Sequence, residues 1–340
     1  METCLIDDVG SFPLPSQVDR EKFDRAYREA REALRLGKGL MENEFAENFH
    51  HVVVDSFKMK LACGLDVTNY PQHYDMHRQL TDVISKVMAR GTYVVDENSA
   101  ILPEVHVIKE EAKRLSEEYG KISLRVCIVG PLELYSRMLG TVAYKDIVMM
   151  IAETVKRFAR NSILNSKYVK TEVISLDEPS FGFQESSFDK SMVLEVFEKS
   201  LDFSGVTKQI HLHSSSKVAD LLNLNNLDVL GLECAASPRN IEGVSKKMLD
   251  NADKHVRIGI ARTDIDAIHA ELYDKGIVKP TPEQLVESEA TIRKRFLFAT
   301  EKYGDRMSFT GPDCGLGGWH TQELAQLVLK RTVEATKCAR

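Results

Sequence analysis

The chain has 340 residues, of which 28% are charged and 43% hydrophobic, and its formal net charge is -6. This composition is ordinary for a globular protein, and no linker-like stretch divides the chain, so residues 1–340 are interpreted as a single domain. The negative balance and the lack of a long Lys/Arg run argue against a nucleic-acid-binding protein. No apolar stretch approaches the roughly 20 residues needed to cross a bilayer, so we expect no membrane role.

The cysteines argue for a reducing environment. Six are scattered along the chain, with no CxxC pair and no framework spacing. The N-terminal stretch "METCLIDDVG" lacks the basic region and apolar run of a secretion signal. We therefore expect a reduced, cytoplasmic protein.

Short apolar runs alternate with longer segments whose apolar residues recur at helical spacing. The runs end in Gly, Pro, Asp or His, and there are eight of them, beginning at residues 4, 63, 122, 171, 207, 227, 256 and 307. Helix-like segments lie between them, for example 18–36, 144–164 and 281–300. The last has Thr281 as a predicted N-cap and Pro282 at the first helical position.

Eight strand-then-helix units predict a (β/α)8 TIM barrel with extra helices, mostly within the first 120 residues. The main alternative is a doubly wound sheet, but neither G-x-G-x-x-G nor G-x-x-x-x-G-K-[ST] follows a predicted strand. In a barrel, reactive groups collect where the strands end and the βα loops begin. The polar residues that end the apolar runs are therefore the candidate site residues.

Imidazole, carboxyl and thiol groups occur at three of these ends. They are His211, His213 and Ser215 in "QIHLHSSS", Glu233 and Cys234 after the sixth run, and Cys314 after the eighth. Alternation along a strand puts the first three on one face. Each group alone is more often a core residue than a ligand, but N, O and S donors at neighbouring strand ends suit Zn2+.

Seven short motifs, in order and approximate spacing, resemble the catalytic barrel of the cobalamin-independent methionine synthase family. They span essentially the whole chain: "VGSFP", "GLDV", "VGP", "LDEPS", "IHLHSSS", "LDVLGLE" and "GPDCGL". The resemblance implies a zinc-dependent methyltransferase that moves a methyl group from a methylcorrinoid or methyltetrahydrofolate donor to a small thiol such as homocysteine. Family members that consist of this barrel alone are similar to this chain in length, and a corrinoid protein is then a candidate partner.

The zinc ligands implied by the resemblance fall on His213, Glu233 and Cys314, with Ser215 in place of a second cysteine. A serine hydroxyl is a poor zinc ligand beside a thiolate. We therefore expect a weakened site, recruitment of the neighbouring Cys234 or His211, or an open position. On a regular strand Cys234 points away from Glu233, so its recruitment would require a bend.

The implied acceptor pocket keeps Gly10 and Ser11 of "GSFP" and the acids Asp177 and Glu178 of "LDEPS". The family reads the amine of homocysteine with a second acid, which falls here at about Gln72. An amide in place of a carboxylate removes a charge-assisted hydrogen bond to an ammonium group. The expected acceptor is therefore a thiol that need not carry an amine.

A third departure from the family pattern bears on the identity of the methyl donor. Methyltetrahydrofolate needs an acid to protonate its leaving group, and the histidine expected near the end of the seventh strand is absent. Asp264 lies nearby and would serve as the acid if burial raised its pKa. A methylcorrinoid needs no such acid and fits better.

Two other functions stay open. A remodelled barrel that has lost its metal would only bind a thiol or a corrinoid partner. A decarboxylase of the uroporphyrinogen decarboxylase type would need a cationic mouth, for which Arg125, Arg257 and Arg262 are candidates. The "PDCGL" motif would have no role in a decarboxylation.

Overall fold

The computed structural model describes residues 4–40, 46–183 and 187–337. The strands are β1 (Leu5–Ile6), β2 (Thr68–Asn69), β3 (Ile122–Val129), β4 (Val169–Asp177), β5 (Thr207–Leu212), β6 (Val229–Leu232), β7 (His255–Ala261) and β8 (Met307–Pro312). The α-helices are α1 (Arg20–Arg35), α2 (His51–Leu61), α3 (Arg78–Met88), α4 (Pro103–Tyr119), α5 (Pro131–Leu139), α6 (Lys145–Asn161), α7 (Lys190–Ser200), α8 (Val218–Leu221), α9 (Lys246–Ala252), α10 (Ile265–Asp274), α11 (Pro282–Leu285), α12 (Glu289–Tyr303) and α13 (Gln322–Lys337).

The eight strands form a closed parallel barrel. Hydrogen-bonded neighbours follow the order β1-β8-β7-β6-β5-β4-β3-β2, and a parallel bridge between Asp7 and Val67 joins the two ends of that order. The amides of Asp66 and Val67 donate to the carbonyl of Ile6 at 2.8 and 3.1 Å. The predicted (β/α)8 barrel is therefore confirmed.

The extra helices lie early in the chain, as expected. α1 and α2 separate β1 from β2, and α3 and α4 separate β2 from β3. An aromatic cluster of Phe23, Tyr27, Phe49 and Tyr74 packs between them, with the rings of Tyr27 and Tyr74 stacked at 4.0 Å between centroids. This packing holds α1 and the loop after β2 beside the carboxyl-terminal mouth of the barrel.

The predicted helix 281–300 is wrong in one respect, because the structure divides it in two. Thr281 forms a capping box around the single turn of α11, and Val286 is then extended. Ser288 caps a new helix by accepting a hydrogen bond from the amide of Thr291. A serine that accepts this bond satisfies an amide that the longer helix would bond internally, so it starts a helix inside an otherwise continuous apolar pattern.

Side chains from alternate strands fill the barrel in layers. The layer nearer the amino-terminal ends of the strands is apolar and comes from the residue before β2 and from β4, β6 and β8: Val67, Val173, Val229 and Phe309. The next layer comes from β1, β3, β5 and β7 and is polar and fully buried: Asp7, Arg125, Gln209 and Arg257. Asp7 is paired with both arginines, and the carboxyl-terminal mouth lies above this layer.

Within the described ranges, no helix is both long enough and apolar enough to span a membrane.

Candidate metal centre and adjoining cavity

His213, Glu233 and Cys314 meet at the mouth of the barrel. His213 directly follows β5, Glu233 directly follows β6, and Cys314 follows β8. The Nε2 atom of His213 lies 3.1 Å from Oε1 of Glu233 and 3.5 Å from Sγ of Cys314. Ligand atoms at about 2.0–2.3 Å from a tetrahedral zinc lie about 3.5 Å from one another, so both separations fit ligands of a common ion.

His211, two residues earlier on β5, belongs to the same group. Each of the four residues offers a ligand atom, and these atoms all lie within 4.8 Å of one another. The imidazole of His211 is 1% exposed, and neither ring nitrogen has a hydrogen-bond partner among the described residues. Its register partner on β6 is Gly231, where a Cβ atom would lie 3.4 Å from Nδ1 of His211.

The protonation preferences of these groups bear on whether a metal fits. Burial raises the pKa of the Cys314 thiol well above its usual value and that of Glu233 to about 8. Burial also lowers the pKa of His213, and that of His211 falls well below its usual value. The four groups alone therefore favour their neutral forms, and a divalent cation would stabilise the thiolate and carboxylate. Two imidazoles, a carboxyl and a thiol are a donor set that zinc accepts.

The two other residues considered as ligands point elsewhere. β5 ends at Leu212, so the alternation of its side chains does not extend to Ser215. The Ser215 hydroxyl packs against Gly243, where a Cβ atom would lie 2.2 Å from Oγ. The expected common face of Ser215 and His211 is therefore not observed. Cys234 is buried in the hydrophobic core around the barrel, and burial raises the pKa of its thiol.

Asp313 connects the loops that carry Glu233 and Cys314. Its carboxylate accepts hydrogen bonds from the amides of Cys234 and Ala235 at 3.0 and 2.9 Å and from the amide of Ala236 at 2.6 Å. Burial raises the pKa of Asp313 to about 6, while these amide hydrogen bonds act in the opposite direction. The residue before the cysteine of "PDCGL" therefore holds the loop after β6 against the loop after β8.

Asn240 is a second connector, which the sequence analysis did not find. Its side-chain Nδ2 donates to the carbonyls of His213 and Glu233, each at 2.8 Å. Its Oδ1 accepts a hydrogen bond from the amide of Ser215 at 3.0 Å. Asn240 thus fixes the backbone of two candidate ligands from a short 3-10 helix (Pro238–Glu242) whose sequence carries no motif.

A cavity of about 500 Å³ opens beside Cys314. Five residues predicted for the site line it together: Gly10, Ser11, Gln72, Asp177 and Cys314. Seven further lining residues come from α1, the loop after β2 and the start of α3 and were not predicted: Arg20, Asp24, His73, Tyr74, Asp75, Met76 and Arg78. The volume and the mixed polar and apolar lining suit a small molecule.

The loops after β1 and β8 pack closely along one side of the cavity. The amide of Leu316 donates to the carbonyl of Ser11 at 2.6 Å, and the amide of Gly317 donates to the Ser11 hydroxyl at 3.2 Å. A Cβ atom on Gly317 would lie 2.4 Å from that hydroxyl. The glycines that follow Cys314 therefore permit this close approach.

Gln72 and Asp177 are both held within the wall of the cavity. Gln72 is 2% exposed and has φ of 49°, a left-handed conformation that is uncommon for a residue other than glycine. Its Nε2 donates to the carbonyl of Cys127 at 3.3 Å. Asp177 accepts a hydrogen bond from the Ser175 hydroxyl at 3.0 Å, and burial raises its pKa to about 6.

Glu178 does not line this cavity, although it was predicted to bind substrate. Its two carboxylate oxygens accept hydrogen bonds from the amides of Leu132 and Glu133 at 2.8 and 2.7 Å. These are amides of the first turn of α5, so Glu178 caps that helix. A Cβ atom on Gly130 would lie 2.2 Å from Oε1 of Glu178, and this glycine therefore accommodates the cap.

Asp264 lies at the end of the loop after β7 in an ion pair with Arg262. The two side chains make hydrogen bonds of 2.9 and 2.7 Å, and the side chain of Asp264 is 34% exposed. The burial on which its role as an acid depended is therefore not observed.

The three arginines considered for a cationic mouth do not form one. Arg125 and Arg257 lie inside the barrel, fully buried and paired with Asp7. Arg262 is paired with Asp264 and Glu271. These residues therefore give no support to the decarboxylase alternative.

The fold and the site together define a parallel α/β barrel with a candidate metal centre at its mouth. The chain is similar in structure to a B12-independent methionine synthase from Shewanella sp. W3-18-1 in complex with selenomethionine, with 14% identity, a TM-score of 0.63, and coverage of 99% of this chain and 98% of that chain. It is also similar to a Listeria monocytogenes protein assigned as a vitamin-B12-independent methionine synthase, with 14% identity, a TM-score of 0.55, and coverage of 98% and 96%.

No protein-family model matches the chain, and the search of curated proteins found no match. At 14% identity the structural similarity establishes a shared fold only. Any conclusion about function therefore depends on the residues at the mouth of the barrel.

Proposed function

We propose that this protein is a zinc-dependent methyltransferase that transfers a methyl group from a methylcorrinoid donor to a small thiol. The observation that carries the proposal is the convergence of His213, Glu233 and Cys314 beside a cavity that Cys314 also lines. The two similar structures support the same chemistry, since both bear the name of methionine synthase and one holds selenomethionine.

The proposed reaction is a displacement at carbon. Zinc bound by the cluster would hold the acceptor sulfur as a thiolate at neutral pH. The acceptor sulfur forms a bond to the methyl carbon while the methyl–cobalt bond breaks, and the electron pair of that bond stays on the corrinoid. The thiol proton passes to solvent. Ser11, Gln72 and Asp177 orient the acceptor so that its sulfur faces the donor.

The choice of donor follows from the acid that each donor needs. The departing nitrogen of methyltetrahydrofolate must be protonated, whereas a corrinoid leaves without a proton. The carboxylate of Asp264 is already engaged by Arg262. A donor that requires no acid at this position is therefore favoured.

The cavity also bears on the acceptor. Gln72 presents an amide where a carboxylate would pair with an ammonium group, and the amide hydrogen-bonds the carbonyl of Cys127. Of the two predicted acids, Asp177 lines the cavity and Glu178 does not. We therefore favour a mercapto acid without an amine over homocysteine.

Metal content provides the first test. Protein purified without chelator is expected to contain about one zinc per chain by plasma mass spectrometry, because the described residues form one candidate metal cluster. Cys314→Ala should lose most of this metal. Cys234→Ala is the matched control, because that thiol is buried in the core, and it should retain the metal. Wild-type protein without metal would favour a barrel that only binds a thiol or corrinoid.

Product formation provides the second test. Zinc-loaded enzyme is incubated with methylcobalamin or methyltetrahydrofolate and with homocysteine or 3-mercaptopropionate, and the methyl thioether is measured by mass spectrometry. We expect product with methylcobalamin, more with 3-mercaptopropionate than with homocysteine, and none above background with Cys314→Ala. A zinc-loaded wild type that makes no thioether with any pair contradicts the proposed methyl transfer.

A further inference from the structure

The family pattern of ligands leaves one position of the metal centre without a donor. That position falls on Ser215, whose hydroxyl lies against Gly243. Its backbone amide is held by the side chain of Asn240 at 3.0 Å. The chain after β5 therefore turns the serine away from the cluster, and its hydroxyl does not supply the missing donor.

The side chain of His211, in contrast to that of Ser215, lies at the cluster. Its imidazole is 1% exposed, and both ring nitrogens lack a hydrogen-bond partner among the described residues. Buried polar groups without a partner are costly, and most native side chains avoid this state by pairing with protein, water or a metal. One of these nitrogens lies within 4.8 Å of the ligand atoms of His213, Glu233 and Cys314.

The neighbouring strand is shaped to admit this ring. Gly231 is the register partner of His211 on β6. A Cβ atom on Gly231 would lie 3.4 Å from Nδ1 of His211 and 2.4 Å from Nε2 of Gln209. Any larger residue would crowd the Gln209 side chain beneath the imidazole, and through it the space that His211 occupies beside the cluster.

From this arrangement, we propose that His211 is the fourth zinc ligand and that it replaces the second thiolate implied by the family pattern. The centre then has two imidazoles, one carboxylate and a single sulfur, with His213, Glu233 and Cys314 as the other donors. Two neutral imidazoles and two anionic ligands balance the charge of Zn2+, whereas a second thiolate would leave a net negative charge. The inference rests on the proposed function for the metal and concerns its ligands.

Metal affinity separates His211 from Ser215. Apo protein is titrated with zinc in competition with a chromophoric chelator. Loss of a residue that only supports a ligand weakens metal binding by about 10–100-fold, so His211→Ala should weaken it by at least about 100-fold. Ser215→Ala should stay within about threefold of wild type, since the serine is not a ligand. An equal loss in both variants, or no loss in His211→Ala, would overturn the assignment.

X-ray absorption at the zinc edge of the wild-type protein gives a count of ligands that does not depend on any variant folding. The wild-type spectrum should fit one sulfur and three nitrogen or oxygen neighbours, with the multiple scattering of two imidazoles. Ser215→Cys should still show one sulfur, because that side chain faces Gly243. A single imidazole in the wild type, or a second sulfur in Ser215→Cys, contradicts the inference. This count decides the matter if His211→Ala does not fold.

These outcomes are distinguishable from failure of the proposed function. Zinc that is bound with two imidazoles but supports no methyl transfer would remove the proposed activity and leave His211 as a ligand. Methyl transfer by the wild type, together with zinc bound equally well by His211→Ala, would support the proposed activity and remove His211 as a ligand.

Discussion

Replacement of Asn240 by aspartate tests how the mouth of the barrel is held together. The two side chains have nearly the same size, and aspartate can still accept the hydrogen bond from the amide of Ser215. It cannot donate, so an oxygen replaces the Nδ2 atom that lies 2.8 Å from each of the carbonyls of His213 and Glu233. The substitution therefore removes two partly buried hydrogen bonds and sets a carboxylate oxygen against two carbonyl oxygens.

The expected cost follows from those two contacts. A lost hydrogen bond between neutral groups costs about 0.5–1.5 kcal/mol, and a buried acceptor without a donor adds about 1–3 kcal/mol. We expect Asn240→Asp to lower the free energy of unfolding by about 3 kcal/mol, because the aspartate escapes part of the penalty by moving toward solvent. Zinc affinity should fall by about 10–100-fold, since the backbone of two proposed ligands is no longer fixed.

Urea denaturation of apo protein measures the first effect, and chelator competition measures the second. Asn223→Asp is the matched control, because Asn223 is exposed in the segment between α8 and β6. The control should change neither quantity appreciably. If Asn240→Asp matches the control in both stability and metal affinity, the argument that this side chain positions the ligands is wrong.

Three further substitutions probe other parts of the molecule. Gln72→Glu should improve KM for homocysteine relative to 3-mercaptopropionate by about fivefold, since a charge-assisted bond to the amine adds about 1 kcal/mol. Burial raises the pKa of Glu104 from 4.5 to about 8, so the folded state keeps a proton that the unfolded chain releases. Stability should therefore fall by up to about 4 kcal/mol between pH 4.5 and 8, and Glu104→Gln should remove this fall in urea denaturation. Asp7→Asn should cost about 3–5 kcal/mol in the same assay, because it leaves Arg125 and Arg257 buried without their carboxylate.

Each of these predictions has an outcome that contradicts it. An unchanged ratio of KM values in Gln72→Glu would mean that this wall does not contact the acceptor. If the stability of Glu104→Gln falls with pH as that of the wild type does, other acids cause the fall. An Asp7→Asn protein as stable as the surface control Asp274→Asn would mean that the two arginines are neutralised by another group.

The barrel could be predicted because its strands are buried on both faces. Such strands appear as nearly continuous apolar runs, and all eight runs became strands. The failure at 281–300 has a local cause. The apolar spacing continues through this segment, but the hydrogen bond from the amide of Thr291 to the Ser288 side chain starts a new helix. The spacing of apolar residues does not show that a side-chain cap at Ser288 replaces the internal hydrogen bond of a longer helix.

The convergence of the candidate ligands was predictable from the strand ends, whereas features that depend on loop conformation were not. His213, Glu233 and Cys314 converge because parallel strands in a barrel end at one mouth. The position of Ser215 was misjudged because alternation was extended beyond Leu212, where β5 ends. Asn240 could not be found, since its role arises from a 3-10 helix after β6 that brings its side chain to the carbonyls of His213 and Glu233. The contribution of α1 to the cavity likewise depends on packing between the extra helices.

The polar layer inside the barrel adds an electrostatic argument that no single motif contains. Two guanidinium groups share the one carboxylate of Asp7, so this layer carries an excess positive charge beneath the mouth. The charge of Arg257 lowers the pKa of Glu233, but burial and the charge of Asp313 raise it more strongly. A positive field below the cluster stabilises anionic ligands and an anionic acceptor sulfur and opposes a metal centre with excess positive charge. The proposed zinc centre with two imidazoles, one carboxylate and one thiolate would be neutral, and an acceptor thiolate would make it negative. Under the proposed function the buried arginines therefore favour the acceptor-bound state, so their removal should affect acceptor binding more than metal binding.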